Sequence, residues 1–135
     1  MKRGVSKSLY YFFSAGMNRS ERGAWRPNMD ICETAEHVVV SLEVPGVRPE
    51  DIAVIEHGDR LIIRGVRRPQ TDPGTNHYHQ IEMVCGEFEK EILLAGPLRG
   101  APVEATLGLG ILSLRIGKST GARRDVERTI IIEAK

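Results

Sequence analysis

Three places in this 135-residue chain carry residue types that could do chemistry. The first is RIGKST, Arg115 to Thr120, which looks like the end of a phosphate loop. GxxxxGK[ST] needs a glycine at position 112, where this chain has Leu112, and no helical pattern follows for a bound phosphate to cap. The second is the pair His77 and His79. One residue apart, they share a face of an extended strand and could chelate a metal, but two ligands fall short of a structural zinc site. The third is Cys32 and Cys85. Neither has a second cysteine nearby, which excludes a CxxC redox or zinc motif, and two are too few for a disulfide framework. Cys85 precedes a glycine turn, so redox sensing is a minor alternative for it. No GxSxG occurs and no cysteine neighbours a histidine in a nucleophilic motif. The chain is expected to be no enzyme and to need no cofactor and no metal.

Charge narrows the partners. The whole chain has a formal net charge of +1. Residues 1–24 carry five Lys/Arg against one Glu, residues 25–118 ten against fourteen Asp/Glu, and residues 119–135 four against three. A basic arm on an acidic body is the reverse of what phosphate binding wants, so nucleic acid is not expected as a partner. No apolar run approaches the about 18–20 residues of a membrane helix, and a membrane is not expected either. Lys7 interrupts the apolar stretch behind Lys2 and Arg3, and no cleavage site follows. This reads against a secretory signal and for a cytoplasmic protein; a basic, serine-containing mitochondrial-type presequence is the alternative.

The elements that would position any site change along the chain. In residues 1–24, Val5, Leu9, Phe12 and Phe13 fall on one helical face, and Tyr10, Tyr11, Phe12 and Phe13 are four of the seven aromatics in the protein. An arm this short cannot bury them alone. Either it docks on its own body, or it contacts other molecules. From residue 25 to 118 the period is two: Val38, Val40, Leu42 and Val44; Leu61 and Ile63; Phe88, Ile92 and Leu94, with Lys90 between them; Leu112, Leu114 and Ile116. Turn signals at Pro45-Gly46, His57–Asp59, Pro69–Asn76 and Ala95–Pro102 separate these runs. Pro49–Ile52 is at most one helical turn. Many short strands predict an all-β, immunoglobulin-like β-sandwich. Two stretches break the in/out rule. Ile52 to Ile55 is apolar on both faces, and Val103, Ala105, Leu107 and Leu109 line one face ahead of ILSLRI. Either both strands are centrally buried, or one face of each waits for a ligand. The chain ends RTIIIEAK, three isoleucines where a tail is ordinarily polar.

In order and spacing, these residues resemble the α-crystallin domain of the small heat-shock proteins, bacterial type. MDICETAEHVVVSLEVPGVRPEDIAV resembles the family's opening, with Asp30, Ile31, Glu33, Thr34, Pro45, Gly46, Val47, Glu50, Asp51, Ile52 and Val54 in place. RLIIRG, HYHQIE and GEFEKEILL resemble the following elements. Ala105 to Leu112, then SLRI, resembles the signature "A-x-x-x-N-G-V-L". Ile130 and Ile132 stand where the family carries its I-x-I motif. The chain departs from the pattern at Lys90, where the family has arginine; at Leu109, where Asn is usual and where the hairpin must therefore lean on Gly108 and Gly110; and at Met83 and Cys85, where Arg and Tyr are common.

The resemblance implies an arm (1–24), an α-crystallin domain (25–118) and a C-terminal extension (119–135). It implies an ATP-independent chaperone, a holdase that keeps partly unfolded clients soluble as a dynamic oligomer of dimers. Leu9, Tyr10, Tyr11, Phe12 and Phe13 would contact clients. Asn76, His77, Tyr78, His79 and Gln80 would form the strand exchanged between dimer partners. Ile130 and Ile132 would enter a groove on another subunit, lined by Ile52, Val54, Ile55, Val103, Ala105 and Leu107. The other reading is a co-chaperone or adaptor sandwich that binds a larger ATP-dependent chaperone; such domains typically lack the exchanged loop and the tail motif.

Overall fold

The computed structural model describes residues 20–94, 98, 100–118 and 127–135. The elements given in full by the described residues follow in chain order: β1 (Ser20–Arg22), β2 (Met29–Glu33), β3 (His37–Glu43), the 3-10 turn Pro49–Asp51, β4 (Ile52–His57), β5 (Arg60–Arg67), β6 (Gly86–Leu93), β7 (Val103–Gly108), β8 (Ile111–Gly117), β9 (Arg128–Ile130) and β10 (Ile132–Ala134). They form two five-stranded sheets, β1-β6-β5-β4-β9 and β10-β7-β8-β3-β2. This is the all-β sandwich that the period-two pattern predicts.

Each strand's alternation decides its inward face. In β3, Val38, Val40 and Leu42 are fully buried, and they oppose Ile116, Leu114 and Leu112 of β8 across an antiparallel ladder. Leu61 and Ile63 of β5 and Phe88 and Ile92 of β6 close the core from the other sheet. Trp25 meets Phe88 edge to face, ring centroids 5.2 Å apart. Edge-to-face packing of this kind adds to area burial. Lys90 lies on the same inward side as Phe88 and Ile92 and is buried.

Two expectations change. Leu109 does not continue the inward row of Val103, Ala105 and Leu107, because β7 ends at Gly108 and Leu109 is fully exposed in the β7–β8 turn. That turn does not lean on Gly108. Leu109 itself takes a left-handed conformation, φ +53°, followed by Gly110 at +77°. Two consecutive positive φ values are what a two-residue hairpin needs to match strand twist, so the turn geometry overrides the leucine's preference.

β2 ends its sheet, bonded only on its β3 side among the described residues. β4 and β7 would be the bare edges at the opposite side. Both are covered, by β9 and β10 of the chain's own tail.

Candidate functional site: a groove filled by the tail

β4 presents Ile52, Val54 and Glu56 inward and leaves Ala53 and Ile55 half-buried. β7 presents Ala105 and Leu107 inward, with Val103 half-buried and packed on the core. The two strands lie at the same margin of the sandwich in different sheets, and the space between them is a groove with an apolar floor.

The tail fills it in two steps. β9 runs antiparallel to β4, pairing Ile130 with Val54, Thr129 with Ile55 and Arg128 with Glu56. β10 runs parallel to β7, pairing Ile132 with Ala105 and Ala134 with Leu107. The amide of Lys135 donates to the Leu107 carbonyl at 2.8 Å. The chain crosses from one sheet to the other at Ile131. Ile130 is 7% exposed and Ile131 84%, while Ile132 is half-buried against the core. Ile130 and Ile132 therefore face inward and Ile131 outward, as period-two geometry requires. The structure brings both knobs onto strands that carry Ile52, Val54, Ile55, Val103, Ala105 and Leu107, within a single chain.

Sequence reasoning missed the charged end of this groove. Glu56 is 1% exposed. Arg128 donates from Nε to its Oε2 at 3.1 Å and also from Nη2. Nη2 reaches the Ala101 carbonyl as well, at 3.4 Å. The other oxygen of Glu56, Oε1, is buried without a hydrogen-bond partner among the described residues. Beyond it, His57 Nδ1 lies 3.2 Å from Glu127 Oε2, an exposed pair. The available signal was an acid in step with Ile52 and Val54 on an inward strand face, and an arginine in step with Ile130 and Ile132.

The proposed exchange loop is held at its root and open at its tip. Arg67 stacks over Trp25, 4.9 Å from the ring centroid. Arg68 Nε donates to both oxygens of Asp51 at 3.3 Å, and Gln70 Nε2 donates to the Gly46 carbonyl at 3.1 Å. Asn76 to Gln80 form no strand in the single chain, and every residue from 71 to 84 is exposed. His77 and His79 stack edge to face, centroids 4.9 Å apart. Next to them Ile81, Met83 and Val84 show more than half their surface, an apolar run beyond the five residues singled out from sequence.

Lys118, the lysine of the RIGKST stretch, pairs with Glu33 and donates to the Thr34 carbonyl at 2.7 Å. Among the described residues no group of three His, Cys, Asp or Glu could hold a metal. Cys32 is exposed and Cys85 half-buried. The arm residues Leu9, Tyr10, Tyr11, Phe12 and Phe13 lie outside the described residues. No helix among the described residues is long and apolar enough to cross a membrane.

A two-sheet sandwich whose margin takes up its own isoleucine tail defines a class, and comparison with known proteins specifies it. The family model for the Hsp20/alpha crystallin family matches residues 30–133. The salt stress-responsive protein YocM of Bacillus subtilis is 31% identical over 121 residues, 90% of this chain and 72% of that protein. A heat shock protein of Dictyostelium discoideum is 29% identical over 97 residues, covering 72% of this chain and only 23% of that protein's length. Among solved structures, a small heat-shock protein from Xylella fastidiosa is similar with a TM-score of 0.65 at 29% identity, covering 75% of this chain and 93% of that one. The chain belongs to the Hsp20/alpha crystallin family. That membership supports a chaperone role and oligomeric self-association.

Proposed function

We propose that this protein is an ATP-independent holdase that works as a dynamic oligomer of dimers. The observation that carries the reading is the tail in the groove. The tail is a detachable strand, and the groove accepts it through contacts that a neighbouring copy's tail would reproduce. Nine peptide steps separate Lys118 from Glu127, an extended reach of about 30 Å. That tether lets a tail serve a neighbour as readily as its own domain. Swapping identical elements between copies is a low-cost route to assembly.

The buried Ile130 contributes about 1.5–3 kcal/mol and the half-buried Ile132 less, and association costs consume much of it. One tail therefore exchanges readily, while many tails in one particle act through effective concentration. The loop supplies the other contact: Asn76 to Gln80, with the exposed Ile81–Val84 run, adds to the open edge of β2 in a partner. Clients would meet the aromatic arm, Leu9 to Phe13, whose rings suit many sequences. We place the protein in the cytoplasm, with unfolding proteins and itself as partners.

The test is native mass measurement combined with suppression of heat-induced aggregation of a model client without ATP. Large particles that suppress aggregation are expected. A 15.0 kDa monomer would favour the adaptor reading, and no suppression at stoichiometric amounts removes the holdase.

A further inference from the structure

We propose that the groove is selective: it takes segments of the form Arg-x-Ile-x-Ile and rejects purely apolar ones, with Glu56 as the discriminating residue. This rests on the exchangeable tail proposed above and names what that site recognises. The occupant is the segment 127–135 of this chain or of a second copy.

Spacing sets the register. Val54 and Glu56 are two residues apart on one inward face, and Ile130 and Arg128 are two apart on the antiparallel strand opposite. The knob-to-floor contact and the ion pair are therefore satisfied in the same register. A slip of one residue turns Ile130 to the outer side. A slip of two in either direction takes Arg128 away from the carboxylate, and in one direction sets Ile130 against it. Only one alignment buries the apolar side chain and pairs the charge.

The energetics give the selectivity. A carboxylate 1% exposed tolerates its position because a guanidinium lies on it. A segment with isoleucines but no cation in step would cover Glu56 and leave it unpaired, and burying an unpaired charge is strongly unfavourable. Oε1 already has no hydrogen-bond partner among the described residues, so the Arg128 guanidinium on Oε2 is the compensation an apolar occupant would remove. The charge works chiefly against the wrong occupant, as discriminating sites commonly do. An unfolding client is rich in apolar segments, and most would lack arginine two residues before the first knob. The groove would then stay reserved for tails while clients bind elsewhere.

The experiment uses the full-length protein and two synthetic peptides spanning residues 127–135, one wild type and one carrying Arg128→Met. Each peptide is titrated in, and hydrogen exchange is followed at the backbone of residues 128–134 and of β4 and β7. The wild-type peptide should deprotect the tail while β4 and β7 stay protected. The Arg128→Met peptide should need at least about tenfold more. In a Glu56→Met chain that preference should vanish or reverse; if this variant does not fold, the comparison on the wild-type chain decides alone. Equal potency of the two peptides there overturns the selectivity and leaves tail exchange intact. No displacement by either peptide overturns both.

Discussion

Val54 and Ile130 oppose each other directly across the β4–β9 ladder, one fully buried and the other 7% exposed. Val54 belongs to the sandwich core and Ile130 to the tail strand β9, so one contact ties the stability of the domain to the occupancy of its edge. Ile132 on Ala105 repeats the arrangement in the other sheet.

Replacing both knobs, Ile130→Ala with Ile132→Ala, should therefore remove tail docking while leaving the sandwich folded. Particle size by light scattering should fall to dimers or small species, and the circular dichroism of the sheets should persist. An unchanged size would sink the assembly role of the tail.

Asp51 holds the root of the exposed loop through Arg68 and also pairs with Arg48. Asp51→Ala should cost little global stability, about 1 kcal/mol or less, because both arginines are largely exposed. Its effect should be local, with hydrogen exchange accelerating at residues 67–70. If the loop exchanges between partners, subunit-mixing rates should rise as well. Unaltered protection at the root would show that Trp25 and Gly46 hold it without Asp51.

Leu109 sits at φ +53° with its side chain fully in solvent. A left-handed conformation costs a non-glycine residue about 1–2 kcal/mol, and Asn tolerates it better. Leu109→Asn removes no packing and should raise stability by about 0.5–1 kcal/mol. In a domain of this size that is a Tm increase of a few degrees by calorimetry. A lower Tm would show that the exposed leucine has a partner in the assembly.

Glu33 has a side chain 5% exposed, and its ion pair is Lys118, itself 14% exposed. Lys118→Met strands a nearly buried carboxylate at the end of β2, where the residue after β8 reaches across β3 to it. The expected loss is about 2–3 kcal/mol in denaturant unfolding. The double variant Glu33→Gln with Lys118→Met should recover most of it. Failure to recover would mean that Lys118 acts mainly through the Thr34 carbonyl.

The sandwich was legible because its signal is local. Val38, Val40 and Leu42, and likewise Leu112, Leu114 and Ile116, announce their shared inward faces by alternation alone. The apolar half of the groove is written in the same local way, in a strand apolar on both faces (Ile52 to Ile55), a second with one apolar face (Val103, Ala105, Leu107), and a tail with two isoleucines one residue apart. The charged half is not. Glu56 and Arg128 lie 72 positions apart. Each reads as an ordinary surface charge until topology sets one on the other. Leu109 misled for a related reason: in TLGLGIL the leucine extends the alternation, and only hairpin closure reveals it as a turn residue. The root of the loop was hidden too, since Arg68 and Asp51 meet only after β5 folds back on β4.

The single crossing at Ile131 has a consequence for the lifetime of the empty groove. One tail caps an antiparallel pairing through β9 and a parallel pairing through β10, so its departure uncovers both edges in one event. Two sheets packed face to face stand about 10 Å apart, which places two unpaired rows of backbone donors and acceptors side by side. Each row is a template for stray strand addition. A population of these molecules is safest when an incoming tail arrives as the outgoing one leaves. Under the proposed exchange, tail turnover becomes a handover rate, which should rise with local tail concentration and slow most in dilute solution.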